Sequence, residues 1–275
     1  MDQDVEVVHS RCCGLDVHKK VIEACIIVPE GKKRNQYGTM TVDLQKLVTW
    51  LQEHQVTVVA MESTGVYWKP VYNILELAGF EILVVNAQHI KAVPGRKTDV
   101  KDAEWIAALL RLGLLKGSYI PCRDQRELRE LLRYRTKLVE ERGREVQRMQ
   151  KILEGANIKL SSVATNIVGS SGRSMIEAMI DKIEDPRVLA QLAKSRLKNK
   201  REDLERALNG LMGAHQRMML QAQLKHIDFL DEAIENLDKE FAERKKDDAT
   251  FHESLELLDG IITGFLHAVV LNVQR

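Results

Sequence analysis

A mixed α/β sheet domain followed by a long antiparallel helical region is the fold the sequence predicts, on three observations. Short apolar runs separated by turn residues fill the stretch from Val5 to Val85. Beyond Asp99 the apolar residues recur at threes and fours instead, the period of a helix face. Two of those helical runs, about Gln125–Glu154 and His215–Arg244, are long enough to pack side by side, with smaller helices between Ser161 and Gly213.

Taken in order, Val5–His18 and Val21–Val28 read as adjacent strands, and Pro29–Glu30–Gly31 as the turn after them. Gln36–Val42 reads as a third strand. Asp43 then caps a helix through His54, with Leu44, Leu47, Val48 and Leu51 on one face. Val56–Met61 is apolar throughout, as a parallel strand buried on both faces should be. Lys69–Ala78 is helical and stops at Gly79, and Glu81–Val85 is another buried strand. Asp102–Leu115 is a helix with a strong apolar face, ending near Gly113 or Gly117. Polar, glycine-containing Ser161–Gly172 reads as a loop at the far tip of the helical part. The divisions expected are 5–120, 121–255 and a short segment 256–275.

The totals exclude some classes. A net charge of +1 predicts no nucleic-acid partner by itself, so that argument must rest on how charge is distributed. The first eight residues are acidic and short of apolar side chains, unlike a signal peptide. No apolar run approaches the roughly 18 residues needed to cross a bilayer. The expectation is a soluble, intracellular protein with no membrane partner. Cys12, Cys13, Cys25 and Cys122 form no C-x-x-C pair and read as reduced thiols.

Four carboxylates could carry chemistry. Asp16 sits mid-strand in Gly-Leu-Asp-Val-His-Lys, where an unpaired charge is costly. Glu62 follows an apolar strand and precedes a glycine turn, at the carboxyl end where α/β sheets hold ligands. Asp99 and Asp102 are three apart at the start of a helix, hence on one face near its N-terminus. Each has a plainer role when taken alone: Asp99 as an N-cap, Glu62 as a cap or solvated side chain, Asp16 as a structural partner. If the first strand neighbours the Val56–Met61 strand, Asp16 and Glu62 converge. A helix returning across the sheet would add Asp99 and Asp102. Four such groups repel one another unless divalent cations neutralise them, and hard oxygen donors select Mg²⁺ or Mn²⁺.

The three motifs Gly-Leu-Asp-Val-His-Lys, Met-Glu-Ser-Thr-Gly-Val-Tyr-Trp and Lys-Thr-Asp-Val-Lys-Asp-Ala, in that order, resemble the Asp-Glu-Asp-Asp signature of the DEDD insertion-sequence transposases. That family is related to the Piv-type DNA invertases, and some members are guided by a bridge RNA. The likeness runs from about Cys13 to near Leu258. It implies an RNase H-like, RuvC-type sheet domain in which Asp16, Glu62, Asp99 and Asp102 bind Mg²⁺ or Mn²⁺ and are catalytic. It also implies that the later helices form a coiled coil used for self-association and nucleic-acid contact. The implied partners are DNA, as element ends and target, a guide RNA and further copies of the chain. The implied setting is the cytoplasm of a bacterium or archaeon, at the nucleoid. The family continues into a second domain that supplies a nucleophilic serine. Here Leu257–Gly264 lacks the proline of that domain's opening segment, and the chain is expected to be a truncated or frame-shifted copy.

Basic residues are unevenly placed. Residues 123–151 hold 10 Lys/Arg against 6 Asp/Glu, and Arg187–Arg206 includes Lys194, Arg196, Lys198, Lys200 and Arg201. Such runs are either solvated helix faces or contacts to phosphates. Arg96, Lys97 and Lys101 flank the carboxylates and are expected at the nucleic-acid strand. Tyr67 and Trp68 are core residues or a stacking platform for a base. His18 is a partner for Asp16 or a structural histidine. The functional expectation is a DNA transposase with a two-metal site, only partly active in this length of chain. An autonomous nuclease on branched DNA and a non-catalytic nucleic-acid-binding remnant are the alternatives.

Overall fold

The structure, a computed structural model, describes residues 7–63, 65–92 and 102–246. Asp99, Arg96, Lys97, Lys101 and the expected segment 256–275 lie outside them. The chain divides into two compact units, Met1–Pro121 and Cys122–Arg275.

The first unit is built on a five-stranded sheet. Strands β1 (Cys12–Val17), β2 (Val21–Val28), β3 (Gly31–Gly38), β4 (Val58–Glu62) and β5 (Glu81–Val85) lie in the order β3-β2-β1-β4-β5. β1, β2 and β3 pair antiparallel, whereas β4 and β5 run parallel to β1. The mixed sheet with flanking helices is the expected class. Helices α1 (Thr41–Glu53) and α2 (Trp68–Leu77) cover one face; α3 (Ala87–Ala92) and α4 (Asp102–Arg111) follow β5.

Side-chain alternation along each strand sorts the residues into two cores. Cys13, Leu15 and Val17 of β1 join Val59 and Met61 of β4 under Leu44, Leu47 and Leu51 of α1. Cys12 of β1, Val58 and Ala60 of β4 and Val85 of β5 pack instead on Ala103, Ile106, Ala107 and Leu110 of α4. Gly14 lets α4 come close. A Cβ there would stand 2.3 Å from the Ala103 carbonyl oxygen and 2.4 Å from the Ala107 nitrogen.

Several boundaries differ from the sequence reading: the first strand is Cys12–Val17 where 5–18 was expected, and α4 stops at Arg111 where 115 was expected. The third strand is Gly31–Gly38, not 36–42, because the two-residue turn Pro29–Glu30 sets the register from Val28↔Gly31 onward. Its Lys32-Lys33-Arg34 run is exposed, as suits a strand at the sheet edge. Helix α1 begins earlier, capped at Met40, so Asp43 lies in its first turn, where the helix dipole favours a carboxylate. In the second unit, the polar stretch around Ser161–Gly172 is not a bare loop. Ile167 is fully buried, and Ser170 opens a helix.

That unit holds two helices of 33 residues, α5 (Arg123–Gly155) and α10 (Ala214–Lys246). Between them come α6 (Leu160–Val163), α7 (Ser170–Ile180), α8 (Pro186–Gln191), a 3-10 turn at Ser195–Lys200 and α9 (Arg201–Ala207). The short helices share a core of their own with the inner ends of the long ones: Leu160, Ile167, Met175, Ile176 and Leu204 against Met149 and Leu220. The long helices run antiparallel, since Arg135 pairs with Asp238 and Arg142 with Asp231. Further along, His226 stands 3.3 Å from the buried Glu145 carboxylate. Among the described residues, no helix is long and apolar enough to cross a membrane.

Candidate active site

Asp16 is the penultimate residue of β1, and Glu62 is the last of β4. The parallel register pairs Gly14 with Ala60 and Leu15 with Met61. Continuing that register sets Asp16 beside Glu62. Gly14 and Ala60 both face α4, so two residues further along each strand Asp16 and Glu62 face the same side. Asp102 is the first residue of α4, the helix seated on that face. Three of the four predicted carboxylates therefore belong to one end of one sheet face.

The electrostatics agree with that placement. Burial holds the Asp16 carboxyl above the usual aspartate range, and the negative charges of Asp102 and Glu62 push it the same way. His18 acts in the opposite sense: its Nε2 donates to Asp16 Oδ2 at 3.1 Å. The His18 imidazole is thus a partner of the carboxylate, one of its two expected roles.

Helix α4 is fastened at this end by Glu104. Its carboxylate pairs with both Lys32 and Arg34 of β3, and those two cations hold it below the usual glutamate range. Sequence reasoning did not find this anchor, because its halves lie 72 residues apart. It also missed Glu23, which stands opposite Asp16 across β1 and β2 and accepts from Gln36 Nε2 at 2.6 Å. The signal for Glu23 was the one that picked out Asp16, a lone acid in an apolar strand.

The aromatic pair behind Glu62 divides. Tyr67 is 40% exposed, while Trp68 packs into the sheet core and meets Tyr72 edge-on, ring centres 5.7 Å apart. Trp68 thus supports α2, and Tyr67 is the more exposed of the two rings.

The donor chemistry fits a hard divalent cation: carboxylate oxygens whose mutual repulsion such an ion would relieve. Among the described residues, however, no three His, Cys, Asp or Glu side chains close tightly enough to hold one ion. The described part of the cluster is an electrostatic convergence and not a finished coordination shell.

A mixed sheet with acids gathered at the carboxyl ends of adjacent parallel strands defines an α/β protein with a strand-end acidic site. Comparison with known families carries this further. The sequence model of the IS110-type DEDD family, described as transposase, matches residues 13–158, and the chain belongs to that family. A transposase for insertion sequence element IS1533 from Leptospira borgpetersenii is 28% identical over 155 residues. That alignment spans 54% of this chain and 44% of the relative. Among solved structures, T. thermophilus RuvC in complex with a Holliday junction substrate is similar over 40% of this chain and 100% of its own, at 13% identity and a TM-score of 0.30. A likeness of that degree is too slight to bear on function.

Proposed function

We propose that the first unit is the metal-dependent catalytic part of a DNA transposase that cuts and joins phosphodiesters. The observation that carries this reading is the convergence of Asp16, Glu62 and Asp102 on one end of one sheet face, where burial and then the neighbouring negative charges raise the Asp16 carboxyl. Asp99, three residues before Asp102, completes the donor set. In this reading the four carboxylates hold two Mg²⁺ or Mn²⁺ ions. Ions bound there supply activation of an oxygen nucleophile and neutralisation of the leaving oxygen.

The remaining roles belong to side chains. His18 orients the Asp16 carboxylate through its hydrogen bond. Glu104, held by Lys32 and Arg34, keeps the first turn of α4 and therefore Asp102 against the sheet. Arg96, Lys97 and Lys101 bind the phosphates of the reacting strand, and Tyr67 stacks on a base beside it. The long helices of the second unit carry self-association, with element-end DNA, target DNA and a guide RNA as partners.

The test is Mn²⁺ binding by electron paramagnetic resonance, alongside Mg²⁺-dependent cleavage of a labelled branched duplex. Asp16→Asn and Asp102→Asn should each weaken Mn²⁺ binding at least roughly tenfold, as expected when a first ligand is removed. Cleavage should fall to background in both. Metal binding that is unchanged in both variants refutes the shared site.

A further inference from the structure

We propose that the outer edge of β3 receives the acidic segment Asp2–Val7 of a second copy of the chain as a sixth, antiparallel strand. β3 stands last in the order β3-β2-β1-β4-β5, so one side of it has no strand neighbour. The contact proposed uses neither the catalytic carboxylates nor the long helices, and it does not rest on the function proposed above.

The register decides which backbone groups of β3 are open. The His18 N–H donates to the Val21 carbonyl, so Val21 and every second residue after it on β2 bond toward β1. Ile22, Ala24, Ile26 and Val28 therefore bond toward β3, where their partners are Tyr37, Asn35, Lys33 and Gly31. The N–H and C=O groups of Lys32, Arg34 and Gln36 are left pointing outward. Asn35 Oδ1 accepts from the Gln36 N–H at 2.9 Å and so caps one of them. Among the described residues, none of the rest has a backbone partner.

Charge selects the strand that can fill this edge. Lys32, Lys33 and Arg34 are all exposed, and among the described residues a single carboxylate, that of Glu104, pairs with them. The surplus repels a second β3, the usual protection of an edge, and favours an acidic strand. Asp2, Asp4 and Glu6 recur at every second residue, the strand period, with Gln3, Val5 and Val7 following them in turn. Setting Asp4 opposite Arg34 in the antiparallel sense puts Glu6 opposite Lys32 and Asp2 opposite Gln36. All three acids then share the face that carries Lys32 and Arg34, and their backbone groups meet the open ones. A slip of one residue would move every acid to the other face. Within one chain the segment starts from the wrong side. Val8 and His9 are tied to the Arg111 carbonyl, and Val8 lies against Gly113, where the chain heads for β5 at the opposite edge and the Ser118 N–H bonds the Val84 carbonyl. A second copy supplies the strand without that tether.

The test uses the full chain carrying Cys122→Ser, which removes its exposed thiol. In the proposed register Gln3 faces Asn35 in a non-hydrogen-bonded pair, a spacing that a disulfide can bridge. One copy carries Q3C and a second, with a different tag, carries N35C, so that a bond between the two added thiols forms only between copies. Mixing followed by mild oxidation should give the crosslinked pair. Q3C mixed with Q36C, whose side chain lies on the other face, should give at least roughly tenfold less. Adding D2N/D4N/E6Q to the Q3C copy should slow crosslinking at least roughly threefold, and added salt should act in the same sense. Parent-like tryptophan fluorescence in each variant excludes unfolding as the cause. No crosslinked pair, an equal yield with Q36C, or a rate untouched by the charge changes overturns the proposal. A Q3C/N35C double variant that closes only within one chain overturns it too.

Discussion

Gly14→Ala probes the link between the sheet and the acidic site. The added methyl would lie 2.3 Å from the Ala103 carbonyl oxygen, 2.4 Å from the Ala107 nitrogen and 3.0 Å from Ala107 Cα. All three are backbone atoms of α4, so no side-chain rotation relieves the overlap. A carbon–oxygen contact near 3.3 Å would require α4 to retreat by about 1 Å. Its buried face, Ala103, Ile106, Ala107 and Leu110, would lose close packing along the contact. Overpacking of this kind costs about 1–3 kcal/mol. All three tryptophans, Trp50, Trp68 and Trp105, belong to the first unit, so their fluorescence in urea reports that unit alone. The variant should unfold at lower urea by that amount. It should also weaken Mn²⁺ binding, because Asp102 moves with α4. Ala107→Gly in the same chain should not restore either property, since the clash is with backbone. A Gly14→Ala protein with parent stability and parent metal affinity would refute the close approach.

Two further outcomes follow from burial and charge. Cys12 is pushed up to about 11 by burial, and Cys13 and Cys25 are raised for the same first reason, whereas Cys122 is exposed. A thiol reagent at pH 8 should therefore modify one cysteine quickly in the native protein, and mass mapping should find it at Cys122; fast labelling in β1 would contradict the packing. Asp228 is held below the usual aspartate range by the Arg173 guanidinium. A lowered carboxylate stabilises the fold above its unfolded value and ceases to as pH falls through the folded one. The pair is half-exposed, so Asp228→Asn should cost no more than about 1 kcal/mol at neutral pH. The gap between variant and parent should close in acid; a gap that widens there would be the wrong sign.

The parts of this fold that were legible in the sequence are those whose period is set by burial. β5 has the predicted limits, and α5 and α10 begin and end within about two residues of theirs, since each presents a long apolar stripe. β3 was misplaced because Lys32 to Gln36 carry no alternation; hairpin register with β2, not composition, holds that strand. Residues 161–172 looked like a loop because they are polar and contain glycine. Gly172 is there because a Cβ would lie 2.2 Å from the Ile167 carbonyl oxygen, a constraint of packing that composition does not display. At the site, Glu62 was readable as an acid at a strand end and Asp16 as a charge inside an apolar strand; that β1 stops one residue after Asp16 was not. The lateral match of those ends was conditional on strand order, and the anchoring of α4 by Glu104 on β3 had no local trace.

The two arginine–aspartate rungs between the long helices have a consequence for how this hairpin can change in length. Arg135 and Arg142 are one heptad apart, and so are their partners Asp231 and Asp238. Sliding one helix by seven residues leaves a single rung matched, and sliding it by three or four leaves none. The rungs therefore fix one register: an insertion in one helix between them dismantles it, whereas matched insertions in both helices beyond them leave it intact.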